Sequence, residues 1–168
     1  MSKKSLIIYR RRDESDKENY DYAKKISKLD KEIYLLSHYN DPKIETEIFQ
    51  YTNIIYYKKI SRIFNNILYF IKTIIILSNI YIKFRGFNNF INNFKVSGIR
   101  LGDLIYDTYI RHNYKYLNPK FDLRFTKILF SGIYRTLILE KLIKKIKPKQ
   151  IFIGTETYIN ISSICCRL

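Results

Sequence analysis

The chain has 168 residues, of which 46% are hydrophobic and 16% aromatic, enough for one domain with a real core and too few for two full domains. This composition also excludes a disordered chain. The net charge of +16 is uneven: residues 1–47 carry 11 bases and 10 acids, whereas residues 48–168 carry 20 bases and five acids.

A field of that sign draws phosphates, whether of nucleic acid, anionic lipid or a phosphorylated substrate. Ile, Lys, Asn and Tyr, the residues that AT-rich codons encode, dominate the chain, so codon bias is a second source of the basic excess.

Residues 5–9 read as a short strand, and their apolar run is too short for a secretory signal. Residues 20–29 read as a helix. Residues 32–36 form a compact apolar run that enters a loop through His38, the pattern of a buried strand. Asp41-Pro42 suits a helix start. From residue 44 to about 84 the spacing predicts helix. Its stripe of Ile60, Ile63, Phe64, Ile67, Leu68, Ile71, Ile74 and Ile75 is expected to face the core, with Lys58, Lys59, Arg62, Asn65 and Lys72 largely off it. The most apolar part, residues 73–82, is about half of the roughly twenty residues a spanning helix needs. That excludes a transmembrane span and leaves an alternative, a helix lying in a membrane interface with its bases toward anionic headgroups.

Gly86 and the asparagines after it break the helix. Residues 94–99 read as a short strand or strand end, Gly98 and Gly102 bracket a turn, and residues 103–112 read as a helix. A loop over 113–123 leads to a second long amphipathic helix, 124–147. There Phe125, Ile128, Leu129, Ile133, Leu137, Leu142, Ile143 and Ile146 point to the core, and Pro148 stops the helix. Residues 150–153 read as another buried strand, 154–157 as its exit loop, and 158–168 as the start of a helix. Strands alternating with helices point to an α/β fold with a parallel sheet. Adjacent Cys165 and Cys166 supply neither a disulfide framework nor metal-ligand spacing, which favours a reducing, cytoplasmic compartment.

The chemistry concentrates in residues 96–111. From residue 48 onward the only acids are Asp103, Asp107, Asp122, Glu140 and Glu156. On a helix starting near Gly102, Asp103, Tyr106, Asp107, Ile110 and Arg111 share one face, opposite Leu101, Leu104, Ile105 and Thr108. One reading makes both aspartates structural, Asp103 as a cap and Asp107 paired with Arg111. The other makes one of them a general base toward a sugar hydroxyl, with Arg100 and Arg111 holding phosphate or carboxylate groups. Glu156, with Thr155 and Tyr158, follows a strand and would point into the crevice where open α/β sheets bind ligands. A cap for the next helix is its structural alternative. His38 occupies the same kind of position after an earlier strand.

The chain has no dinucleotide-binding GxGxxG, no Walker loop, no HExxH and no GxSxG. Nor does it have a zinc finger or a ribonucleoprotein motif. Bases interleaved with Tyr and Phe could bind single-stranded nucleic acid by stacking, but most of these aromatics fall at core spacing, so that reading ranks second.

The stretch Gly98-Ile-Arg-Leu-Gly-Asp-Leu-Ile-Tyr-Asp-Thr-Tyr-Ile-Arg111 resembles a motif of bacterial surface-carbohydrate (capsular polysaccharide) biosynthesis proteins. These are taken as glycosyltransferases of the two-Rossmann-domain type, GT-B. Residues 144–167, a lysine-rich helix and short strand followed by Tyr158 and Arg167, are similar to a later and looser segment of the same family. The resemblance implies an α/β fold, a Rossmann-like parallel sheet flanked by long amphipathic helices. Residues 1–168 would form a single, truncated acceptor-side domain, the N-terminal half of a GT-B-like architecture. It implies Asp103 and Asp107 as catalytic residues, and Gly102, Tyr106, Arg111, Glu156 and Tyr158 as substrate-binding ones, with no metal and no cofactor. The implied partners are a lipid-linked sugar acceptor and an anionic surface at the inner membrane face. A nucleotide-sugar donor would bind only with a C-terminal domain. A binding module for nucleic acid or a membrane surface is the alternative.

Overall fold

The computed structural model describes residues 4–9, 32–37, 52–84, 86–111, 121–152 and 161–168. Short strands come first: β1 (Lys4–Tyr9), β2 (Glu32–Ser37) and β3 (Thr52–Tyr56). The chain then turns helical. A short α1 (Tyr57–Ile60) and a 3-10 turn at Ile63–Asn65 lead into α2 (Ile67–Lys83) and α3 (Phe87–Asn93). A small hairpin, β4 (Lys95–Val96) and β5 (Ile99–Arg100), precedes α4 (Gly102–Arg111) and the long α5 (Leu123–Ile146). The last elements are β6 (Gln150–Phe152) and α6 (Ile161–Arg167).

The expected Rossmann-like, GT-B-like fold is corrected here. The body is mostly helical, and its core is built largely helix on helix. Helix α5 packs against α2, α4 and α6 rather than lying on a sheet. The segment expected to add a strand at residues 94–99 instead folds back on itself, with Lys95 opposite Arg100 and Val96 opposite Ile99 in antiparallel register. Strands β1, β2, β3 and β6 do pair side by side in parallel, in the order β3-β2-β1-β6. Between β3 and β6, however, the chain runs through α1 to α5 and the hairpin. That connection is a helical body, not the single crossover helix of a Rossmann unit. The physical reason is that an apolar stripe specifies burial but not the partner that provides it. The α5 stripe is buried almost as expected, with Phe125, Leu129 and Ile133 at 0% exposure, yet other helices cover it.

The ends of α5 follow from local chemistry. Asp122 is its N-cap and accepts the Phe125 backbone N–H at 2.7 Å. At the other end Lys147 takes a left-handed conformation, its N–H donating to the Ile143 carbonyl, and Pro148 prevents continuation.

An aromatic cluster fills the junction of α3, α4 and the start of α5. Phe87 stacks on Phe121 at 4.4 Å, Phe90 on Phe94 at 4.9 Å, and Phe125 meets Phe121 and Tyr109 edge-on at 5.0 and 5.3 Å. Such pairs each add about 0.5–1.5 kcal/mol beyond their burial. Phe90, Phe94, Phe125 and Tyr109 are all buried, so these rings serve the core and offer no platform to nucleic-acid bases.

The region 44–84 departs most from expectation. Residues 52–56 are a strand, and the helix is interrupted by the 3-10 turn. There Asn66 donates to the Ile60 and Arg62 carbonyls and accepts from the Lys141 ammonium at 3.2 Å. The stripe expected to face the core faces out: Phe64 is 93% exposed and Leu68 76%, and Ile67, Ile71, Ile74 and Ile75 are exposed as well. The side of α2 that is buried centres on Thr73 and Ile80. Thr73 can be buried because its hydroxyl donates to the Tyr69 carbonyl at 2.7 Å, which leaves no unpaired donor in the core. Among the described residues no helix is long and apolar enough to cross a membrane.

Candidate functional site

Helix α4 is set in place from both ends. At its start, Ser97 and Gly98 turn the β4–β5 hairpin with φ values of +52° and +85°. Positive φ at both central positions is what a tight two-residue hairpin requires, and glycine meets it without strain. Four residues after Gly98, Gly102 lies against the backbone of α3. A Cβ at this position would stand 2.3 Å from the Phe90 carbonyl oxygen and 2.6 Å from that of Ile91. Glycine is therefore the residue that lets the first turn of α4 press onto α3. At the far end, the buried Tyr109 donates its hydroxyl to Asp122 at 3.0 Å, tying α4 to the cap of α5.

This placement brings Asp103 to Arg167. The Arg167 guanidinium donates to both carboxylate oxygens, at 2.7 and 2.9 Å, and also to the Arg100 carbonyl at 2.6 Å. Arg100 itself approaches Asp103 at 3.4 Å. A bidentate pair of this geometry is among the stronger polar contacts a protein makes. Burial alone would push the Asp103 carboxyl up. The Arg167 guanidinium, with the Leu104 N–H and Arg100, outweighs burial and holds it below the ordinary carboxylate value.

Asp107 is exposed one turn further along α4, and Arg111 is exposed on the same face. Tyr106 is half-buried, its ring tilted against Phe87 at 5.5 Å. The expected helical face is thus assembled: Asp103 inside a clasp, Asp107 open to solvent, and Tyr106 and Arg111 beside it. Gly102 belongs to the packing of the helix. Glu156 and Tyr158 lie outside the described residues, as does His38.

Two further acids take roles that the sequence reading did not assign. Asp122 caps α5 and receives Tyr109, and these donors, led by the Phe125 N–H, hold its carboxyl below the ordinary value. Glu140 accepts from the Ser97 hydroxyl and the Lys144 ammonium, joining the hairpin to α5. Burial would raise the Glu140 carboxyl, and these two donors bring it below its ordinary value. Of the four carboxylates among the described residues after 48, three therefore fasten one element to another. The scarcity of acids was the available signal, but it pointed to joints of the fold as much as to a site.

Arg167 is the residue whose importance reasoning from sequence missed, since its partner lies 64 positions away. Among the described residues no group of His, Cys, Asp and Glu is placed to hold a metal ion. No protein-family model matches the chain, no curated protein matches it, and no solved structure matches it.

Proposed function

We propose that this chain acts in surface-polysaccharide biosynthesis, as the acceptor-side part of a glycosyltransferase. One observation carries the reading. The two segments that resemble surface-carbohydrate biosynthesis proteins are far apart in sequence, and they meet through Asp103 and Arg167.

The geometry divides the work between the two aspartates. Asp103 has both oxygens engaged by Arg167 and a depressed pKa, which makes it a weak base and a good anchor. Its role is to position α4. Asp107 is the carboxylate open to an incoming molecule, and it is the one to accept a proton from the acceptor hydroxyl as that oxygen attacks the sugar donor. Tyr106 and Arg111 flank it, the first suited to stack on a sugar ring and the second to hold an anionic group of the acceptor.

The test is genetic. Deleting the gene in the cell that carries it is expected to remove or shorten a surface polysaccharide, seen as a lost or shifted ladder on gels. Wild-type protein restores the ladder, while Asp107→Asn, which alters an exposed side chain, accumulates normally and does not. An intact polysaccharide after deletion overturns the functional reading. Full restoration by Asp107→Asn overturns the site.

A further inference from the structure

Helix α2 carries apolar residues on two sides, yet only one of them is covered. Its buried side, centred on Thr73 and Ile80, packs against α5. On the opposite side Ile67, Leu68, Ile71, Ile74, Ile75 and Ile82 are all exposed, Leu68 by 76% and Ile82 by 80%. With 100° per residue these six fall in one band along the helix, interrupted by Ser78, whose hydroxyl donates to the Ile74 carbonyl. The exposed Phe64, just before α2, extends it. Apolar bands of this kind mark a surface that something else covers.

We propose that the covering surface is an anionic lipid bilayer, with α2 lying flat in its headgroup region. Charge selects the occupant. Residues 48–102 contain eight Lys and Arg and no acid at all. Two of the bases, Lys72 and Lys83, sit exposed along one edge of the apolar band, next to Asn79. On that same edge lies a pocket of about 330 Å3, lined by Lys83, Lys95, Asn79 and Asn93 over a floor that includes Ile80 and Phe94. Two lysines and two asparagines thus line a pocket that a lipid phosphate could enter while the apolar band meets the acyl boundary. The Asn93 amide donates to Asn89 at 2.6 Å, so it is held at the rim. An apolar face with bases along its edge is the pattern of an interfacial helix.

The dimensions agree. Seventeen residues make a helix of about 25 Å, short of the roughly 30 Å hydrocarbon core, so α2 suits lying on a bilayer better than crossing one. A second copy of the chain fits less well, because it would bring an equally basic rim against the first. Nucleic acid would meet the lysines but leave the isoleucines in water. The inference is independent of any catalytic role for Asp107.

The experiment is co-sedimentation of the full chain with vesicles of phosphatidylcholine alone and of phosphatidylcholine with phosphatidylglycerol. Binding is expected to the anionic vesicles, weaker to the neutral ones, and to decline with added salt. The double variant Ile71→Asn, Ile75→Asn is expected to weaken it by about tenfold or more. Lys83→Gln with Lys95→Gln should reduce binding to anionic vesicles and leave the weak neutral binding as it was. Circular dichroism and the thermal midpoint establish that the variants fold. Should the isoleucine pair unfold, Leu68→Gln with Ile82→Gln, at the two most exposed large apolar positions of α2, takes its place. Three outcomes overturn the proposal. One is no vesicle binding by the wild type, and another is binding that none of these substitutions changes. The third is a soluble dimer, in place of vesicle binding, that the isoleucine variant dissolves.

Discussion

Replacing Gly102 with alanine tests whether α4 is seated as described. The added Cβ would meet the Phe90 carbonyl oxygen at 2.3 Å, the Ile91 carbonyl oxygen at 2.6 Å and the Ile91 Cα at 2.8 Å. All three are backbone atoms, so no change of rotamer can relieve the clash. Real Cβ contacts stay beyond 3.0 Å, so α4 and α3 must separate by a large fraction of an ångström in a packed core. Overpacking of this kind costs about 1–3 kcal/mol. Alanine recovers up to about 1 kcal/mol of helix propensity in a helix interior, and less at a first position such as this. The net expectation is a loss of about 2 kcal/mol. In urea, with a slope of about 1–3 kcal/mol per molar, the unfolding midpoint read by far-ultraviolet circular dichroism should fall by about 1 M. An unchanged or higher midpoint would refute the close packing of Gly102 on α3, and with it the reason Asp103 stands where Arg167 can reach it.

Further expectations follow from other contacts and from burial. In a double-mutant cycle, Asp103→Asn and Arg167→Met should show a coupling of about 1–2 kcal/mol, since the pair is bidentate but partly exposed. Because the folded state holds the Asp103 carboxyl below its ordinary value of 3.8, this contribution is fully present above that pH. It is lost as the pH falls through the lower folded-state value, so Asp103→Asn should flatten the acid limb of stability against pH. Asp122→Ala removes the α5 cap and the acceptor of Tyr109, and a loss of about 1–2 kcal/mol in thermal or urea unfolding is expected. Alkylation of the native protein should modify the exposed Cys166 and spare Cys165, whose thiol burial pushes up to about 12; mass spectrometry of native and unfolded samples distinguishes the two.

Features governed by near neighbours were legible in the sequence. The apolar period and Pro148 bound α5 to within a residue of the expected 124–147, although the sequence reading puts Asp122 in the loop and not at the cap, and the face of α4 came out as the spacing implies. Read from the sequence, the turn lies between Gly98 and Gly102, whereas the chain turns at Ser97 and Gly98, inside the expected strand, and pairs Lys95–Val96 with Ile99–Arg100. Other features depend on residues far apart, and these were not legible. The isoleucines of α2 dominate any periodicity, so the stripe was placed inward. The structure buries the side with Thr73 and Ile80 because α5 is there to cover it and because the Thr73 hydroxyl is satisfied within its own helix. Residues 52–56 are β-branched and aromatic like the strands, but they join a helical pattern without a break, and periodicity extended the helix across them. The same limit explains the fold-class correction, since periodicity located α2 and α5 without showing that they cover each other. Arg167 was legible as a residue but not as the partner of Asp103.

The most direct test of the functional account is a titration of the full chain with oligosaccharide fragments of the surface polysaccharide from the cell that encodes it, followed by calorimetry. The account expects saturable binding that Asp107→Asn weakens by about tenfold or more while the unfolding midpoint stays in place. Binding to none of the fragments, or binding that is indifferent to Asp107, would contradict it.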